Sequence, residues 1–139
     1  MLKTSILGRT GLEVTNLGFG AMELKDVVEN GGRLPTEEHA GAVLNAVLNS
    51  GINFIDTAWC YDRSEEFIGR FISHRRDEYV LATKCGHWWR NDPDHSGWSP
   101  EGMMNCIDQS LQRLKTDHVD ILQLHNATPD DVRTHDSIN

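Results

Sequence analysis

Four side chains that can hold or move a proton stand at or just beyond the ends of apolar runs: Asp56, Tyr61, Lys84 and His125. Asp56 closes Asn53-Phe54-Ile55, and Lys84 closes Tyr79-Val80-Leu81-Ala82-Thr83. His125 closes Val119-Asp120-Ile121-Leu122-Gln123-Leu124, and Tyr61 follows Asp56 in the stretch Thr57-Ala58-Trp59-Cys60. A carboxylate, a phenol, an ammonium and an imidazole are the groups that general acid–base chemistry uses. Each alone has a plainer reading. A strand-end Asp often caps the next helix, a Lys there is usually solvated, and a lone His is more often structural. Their recurrence at the same end of three successive strands carries the signal, because parallel α/β folds place their chemistry at the carboxyl ends of the strands.

The elements that must position these groups follow from periodicity. Thr4–Leu7 and Leu12–Val14 flank Gly8-Arg9-Thr10-Gly11 and predict a β-hairpin. Leu17-Gly18-Phe19-Gly20-Ala21-Met22 reads as a buried strand, and residues 23–35 as a loop. Thr36 is a helix cap, with Glu37 and Glu38 at the positive end of the dipole. Ala40, Val43, Leu44, Val47 and Leu48 then lie on one helical face, and Gly51 suits the stop. Residues 52–56 form the next strand. Ser64 caps a helix carrying Phe67, Ile68, Phe71 and Ile72, and 79–84 is a strand. Ser99-Pro100 opens a third helix with a Met103, Ile107, Leu111 and Leu114 stripe, and 119–125 is the last strand.

Strands alternating with amphipathic helices imply parallel strands with right-handed crossovers. Two architectures fit: a doubly wound sheet or part of a (β/α)8 barrel. The first wants a phosphate fingerprint after the first strand. Gly18-Phe19-Gly20-Ala21-Met22-Glu23 lacks the third glycine of G-x-G-x-x-G, and no P-loop pattern exists. Strand side chains alternate, so Asp56 shares a face with Phe54, Lys84 with Ala82 and Val80, and His125 with Gln123 and Ile121. Gln123 is a polar residue on a core-facing set and needs hydrogen-bond partners there.

Composition removes several function classes. The 139 residues carry 13 Lys+Arg against 21 Asp+Glu, a net charge of −8. Such a chain is a poor binder of nucleic-acid backbones or anionic membranes. No apolar run approaches the ~20 residues of a membrane helix. The opening Met1-Leu2-Lys3-Thr4-Ser5 runs into polar residues before a signal core could form, so a cytoplasmic protein is expected. Cys60, Cys85 and Cys106 are odd in number and contain no C-x-x-C, which fits reduced thiols. Cys85, His87, Asp92 and His95 match no zinc spacing, so no metal is expected.

With these segments in hand, the sequence resembles the aldo-keto reductase superfamily. Leu7-Gly8-Arg9-Thr10-Gly11-Leu12-Glu13-Val14 with Leu17-Gly18-Phe19-Gly20 is similar to the family's hairpin and first strand. Asn53–Ala58 with Tyr61 and Arg63-Ser64-Glu65-Glu66-Phe67-Ile68-Gly69 resembles its second strand, catalytic loop and following helix. Leu81-Ala82-Thr83-Lys84 and Val119–His125 resemble its lysine and histidine segments. The resemblance implies reduction of aldehydes or ketones to alcohols, or the reverse, with NADP or NAD on a TIM barrel. By position Tyr61 is then the general acid, Lys84 and Asp56 its supporting ion pair, and His125 the group that orients the carbonyl. Gly20 and Asp56 would border the cofactor. Trp88 and Trp89, with Trp98, would wall a pocket for a small carbonyl or sugar-like substrate. Asp62 stands where many relatives have glycine, and is expected to face solvent.

A complete barrel takes ~250 residues and eight strands. Residues 1–139 hold the hairpin, four barrel strands and three helices, so they are expected to form the N-terminal portion of the barrel, truncated after strand four. In the family most cofactor contacts come from the second half. The isolated chain is therefore expected to turn over poorly, and to pair with itself or with a complementary C-terminal half. The alternative is an inactive fragment or a cofactor-independent binding module.

Overall fold

The computed structural model describes residues 2–24, 36–86 and 99–134. Strands β1 (Thr4–Ile6) and β2 (Glu13–Thr15) form the antiparallel hairpin. It docks against the start of the next sheet through Asn53. Thr15 N–H donates to Asn53 Oδ1 at 2.7 Å, and Asn53 N–H donates to Thr15 Oγ1 at 3.1 Å.

Four parallel strands follow in the order β3 (Phe19–Gly20), β4 (Phe54–Asp56), β5 (Val80–Cys85) and β6 (Ile121–Leu124). Helix α1 (Glu37–Asn49) lies between β3 and β4, α2 (Ser64–Phe71) between β4 and β5, and α3 (Pro100–Leu114) between β5 and β6. A short α4 spans Pro129–Thr134, where the sequence reads only as a polar tail. This is a parallel α/β arc in sequential strand order, as expected for the first part of a barrel.

The starts of α1 and α3 are where the sequence puts them. Thr36 accepts from the His39 N–H, and Ser99 accepts from the Gly102 N–H one residue before Pro100. Three local expectations change. The Leu17–Met22 stretch is not a buried strand: only Phe19–Gly20 pairs, Gly20 is exposed, and Ala21–Leu24 turns into a 3-10 helix. Val43 lies on the exposed side of α1, and Gly41 takes the inner face. The Phe71 ring presses on Gly41, where a β-carbon would come within 2.8 Å of it. Ser64 is the first helical residue of α2 and not its cap; its hydroxyl donates to Ala21 O at 2.9 Å and contacts Thr57 Oγ1 at 2.9 Å.

One buried cluster joins sheet to helices: Ile55 and Leu81 pack with Leu44, Phe67, Ile68 and Leu114. That fixes the sheet's outer face. Strand alternation then sends Asp56, Lys84 and Gln123 to the opposite, barrel-interior face. Among the described residues no helix is long and apolar enough to cross a membrane.

Candidate active site

Parallel register brings the polar ends together. Gly20 opposes Asp56, and Lys84 opposes Gln123. Lys84 Nζ is ion-paired with Asp56 Oδ1 and also donates to the Thr57 carbonyl at 2.8 Å. Gln123 Nε2 donates to the other Asp56 oxygen at 2.8 Å. The polar Gln123 on the interior face thus has its partner, and both carboxylate oxygens of Asp56 are held. The Lys84 side chain is 14% exposed, so its charge is only partly screened by water.

Tyr61 and His125 complete the cluster. The Lys84 ammonium lies 5.0 Å from the Tyr61 ring centroid. Among the described residues no hydrogen bond joins it to the Tyr61 hydroxyl; the contact is with the ring. The Tyr61 and His125 rings meet edge to face, 5.7 Å apart at 86°. The His125 N–H donates to Cys85 O at 2.8 Å, continuing the β5–β6 pairing one residue past the strand. The loop bearing Tyr61 is tied down by its own backbone: Trp59 N–H donates to Lys84 O, Tyr61 N–H to Ala58 O, and Ser64 N–H to Tyr61 O. Asp62 is exposed and adopts a φ of 43°, a left-handed conformation that glycine takes freely and Asp tolerates. Its carboxylate faces solvent, as expected.

Periodicity did not single out two further groups. Glu65, in the second position of α2, is fully buried. It accepts from Thr83 Oγ1 at 2.7 Å and lies 3.5 Å from Arg113 Nη1, which also donates to the Trp59 carbonyl at 2.9 Å. Burial pushes the Glu65 carboxyl up, against the opposing pull of Thr83 and Arg113. Glu65 stands three residues before Ile68 and seven before Ile72, at the edge of the apolar stripe of α2, but a carboxylate reads as surface by its type; the contacts with Thr83 and Arg113 hold it inside. The second is Cys60, whose Sγ sits 3.2 Å from His125 Nδ1. Trp88 and Trp89, with Trp98, His87, Asp92 and His95, lie outside the described residues.

A cleft of about 330 Å³ opens at the other end of the strands, bordered by Asn53, Val80 and Asp120. Arg76 and Asp120 line that cleft and form a 2.5 Å ion pair, and Asp120 Oδ2 also accepts the Leu81 N–H at 2.7 Å. It is remote from the polar rim.

The model of the Aldo/keto reductase family matches residues 16–136, which include every residue of the rim cluster. The chain belongs to the aldo/keto reductase family. It is 36% identical over 130 residues to the oxidoreductase YqkF of Bacillus subtilis, covering 90% of this chain and 39% of that protein. It is 38% identical over 125 residues to the L-galactose dehydrogenase of Arabidopsis thaliana, covering 86% and 37%. Among solved structures, the aldo-keto reductase AKR11C1 of Bacillus halodurans in its holo form superposes with a TM-score of 0.77 at 34% identity, over 94% of this chain and 42% of that one. The chain thus spans about two fifths of the length of these aldo-keto reductase relatives, and its arc corresponds to part of their barrel.

Proposed function

We propose that this chain carries the proton-delivering side of an NAD(P)H-dependent carbonyl reductase, and that Tyr61 is its general acid. The observation that carries this reading is the meeting of Asp56, Tyr61, Lys84 and His125 at one rim of the sheet. In this reading a bound nicotinamide supplies the hydride. Gly20 and Asp56 stand side by side where it would rest, and no atom lies within 4 Å of where a Gly20 side chain would begin, so the rim is open there.

The chain's own residues supply the remaining chemistry. Negative charge grows on the carbonyl oxygen during reduction, and that oxygen must receive a proton. A phenol keeps its proton at neutral pH and can donate it. The Lys84 ammonium then stabilises the phenolate left on Tyr61, and its partial burial strengthens that effect. Asp56 and the Thr57 carbonyl hold the ammonium in place, and Gln123 holds Asp56. His125, donating a ring N–H to the carbonyl oxygen, orients it and stabilises its developing charge. In the reverse direction the phenolate accepts the alcohol proton. A small carbonyl or sugar-like substrate fits the reading, with Trp88 and Trp89 as its apolar wall. The free cysteines suit a cytoplasmic setting.

The catalytic unit in this reading is larger than residues 1–139. Among the described residues strands β3 and β6 each have an unpaired edge, and Phe54, Val80 and Ile121 on the interior face are only half-buried. A further set of strands, from a complementary segment or a second copy, would cover them and complete the cofactor cradle. The test joins the chain to the remaining half-barrel of an aldo-keto reductase relative and follows NADPH oxidation with a simple aldehyde. Turnover in the joined protein, with little in the chain alone, and loss of about 100-fold or more on Lys84→Met is the expected result. Turnover indifferent to Lys84→Met would overturn the role of the ion pair, and no turnover at all would favour the binding-module alternative.

A further inference from the structure

We propose that Cys60 is a positioning residue: its thiol donates a hydrogen bond to His125 Nδ1 and so fixes His125 as the neutral tautomer that carries its proton on Nε2. The consequence for catalysis rests on the carbonyl-reduction reading above; the tautomer itself does not.

The geometry supplies the first support. Cys60 Sγ lies 3.2 Å from Nδ1, well within the reach of a sulfur hydrogen bond. Both partners are held by backbone. The residue before Cys60, Trp59, is bonded through its N–H to Lys84 O and through its carbonyl to Arg113, and Tyr61 N–H closes the turn onto Ala58 O. His125 is fixed by its N–H to Cys85 O and by the edge-to-face contact with Tyr61, and only 9% of it is exposed. The contact therefore belongs to the built structure of the rim.

Chemistry decides its direction. An imidazole nitrogen with a lone pair is a good acceptor, whereas a thiol sulfur is a weak one and a thiol S–H a usable donor. Burial pushes the Cys60 thiol up to about 11, against the lowering pull of its own backbone and of the Lys84 charge. The sulfur thus keeps its hydrogen, which argues against a thiolate–imidazolium pair, and the weakness of a thiol sulfur as an acceptor favours S–H···Nδ1 over Nδ1–H···S. In a neutral imidazole one nitrogen accepts and the other carries the proton, and the bond made by one sets the other. With Nδ1 accepting, Nε2 is the N–H. A His125 in the opposite tautomer would present a lone pair at Nε2 and repel a carbonyl oxygen. The same Cys60 sits beside Tyr61 in sequence, so one turn places the proton donor and sets the tautomer of the orienting group.

The test reads the ring nitrogens directly. The chain is labelled with 15N-histidine, and long-range proton–nitrogen spectra are recorded at a pH where His125 is neutral, without cofactor or substrate. His125→Gln identifies its signals among the seven histidines. The expected wild-type pattern has a protonated Nε2 and an unprotonated Nδ1 displaced by accepting a hydrogen bond. Cys60→Ser, which keeps a donor, should retain that displacement. Cys60→Ala should lose it and let the Nδ1–H form become detectable. A protonated Nδ1 in the wild type overturns the proposal, and that result does not depend on either variant folding. An Nδ1 signal identical in wild type and Cys60→Ala overturns it as well. Neither outcome bears on whether the completed barrel reduces carbonyls, which the turnover assay decides separately.

Discussion

Replacing Glu65 with Gln removes an ionisable group from the fold while keeping its shape. The Gln amide oxygen can still accept from Thr83 Oγ1, which reaches Glu65 at 2.7 Å. What disappears is the proton equilibrium. Burial raises the Glu65 carboxyl above its ordinary 4.5, so just above that pH the folded chain holds a proton that the unfolded chain has released. The folded state then binds more protons, and stability must fall as pH rises through that interval. The slope for one group is at most about 1.4 kcal/mol per pH unit. Glu37, Glu78 and Asp117, which hydrogen bonds from Arg63, Arg75 and His118 hold below their ordinary values, are ionised in both states there and add no slope. The histidines are common to both proteins and cancel. Urea unfolding of wild type and Glu65→Gln between about pH 5 and 8 reads the difference. Wild type should gain on the variant as pH falls, by no more than that slope. Parallel curves would refute the account of Glu65 as a buried carboxyl tuned chiefly by desolvation.

Other perturbations test the packing around the rim. A β-carbon at Gly69 would lie 2.0 Å from the Arg113 carbonyl oxygen and 2.7 Å from the Leu114 carbonyl carbon. Both are backbone and cannot swing aside, so Gly69→Ala should cost about 1–3 kcal/mol or more in urea unfolding; a cost below about 0.5 would contradict the close α2–α3 crossing. At the other end of the strands, burial pushes the Asp120 carboxyl up, but the Leu81 N–H and Arg76 outweigh it and hold it below 3.8. Its contribution is present above 3.8 and lost as pH falls through the lowered value. Asp120→Asn should be about 1–3 kcal/mol less stable at neutral pH, with the gap closing in acid; a gap that persists unchanged into acid would contradict the assignment.

What the sequence makes legible and what it hides divide along contact range. The hairpin, the Thr36 and Ser99-Pro100 helix starts, and the order of strands and helices are written in local spacing. So is the placing of Asp56, Lys84 and His125 at strand ends, since each closes an apolar run; the register staggers them, with Asp56 opposite Ala82 and Lys84 opposite Gln123. Gln123 was readable as an anomaly, and its partner is a residue 67 positions away. The errors come where a distant side chain overrides the local pattern. Phe71 fills the α1 surface at Gly41, which turns Val43 outward. Ser64 spends its hydroxyl on Ala21 O, leaving α2 without a side-chain cap. Glu65 shares helical spacing with Ile68 and Ile72, but its charge argues for the surface, and Thr83 and Arg113, which make its burial tolerable, come from other elements. Cys60 meets His125 across 65 residues, and nothing in the spacing of either residue announces the contact.

The central claim is that Tyr61 delivers the proton, and Tyr61→Phe tests it most directly. The variant keeps the ring that packs against His125 and under Lys84 and removes only the hydroxyl. Measured in the joined barrel, with NADPH and a simple aldehyde, wild type and variant should bind cofactor alike. A positioned general acid contributes typically 10²–10⁴-fold, so kcat should fall by about that factor. A Tyr61→Phe protein that retains kcat within a few-fold of wild type would contradict the account.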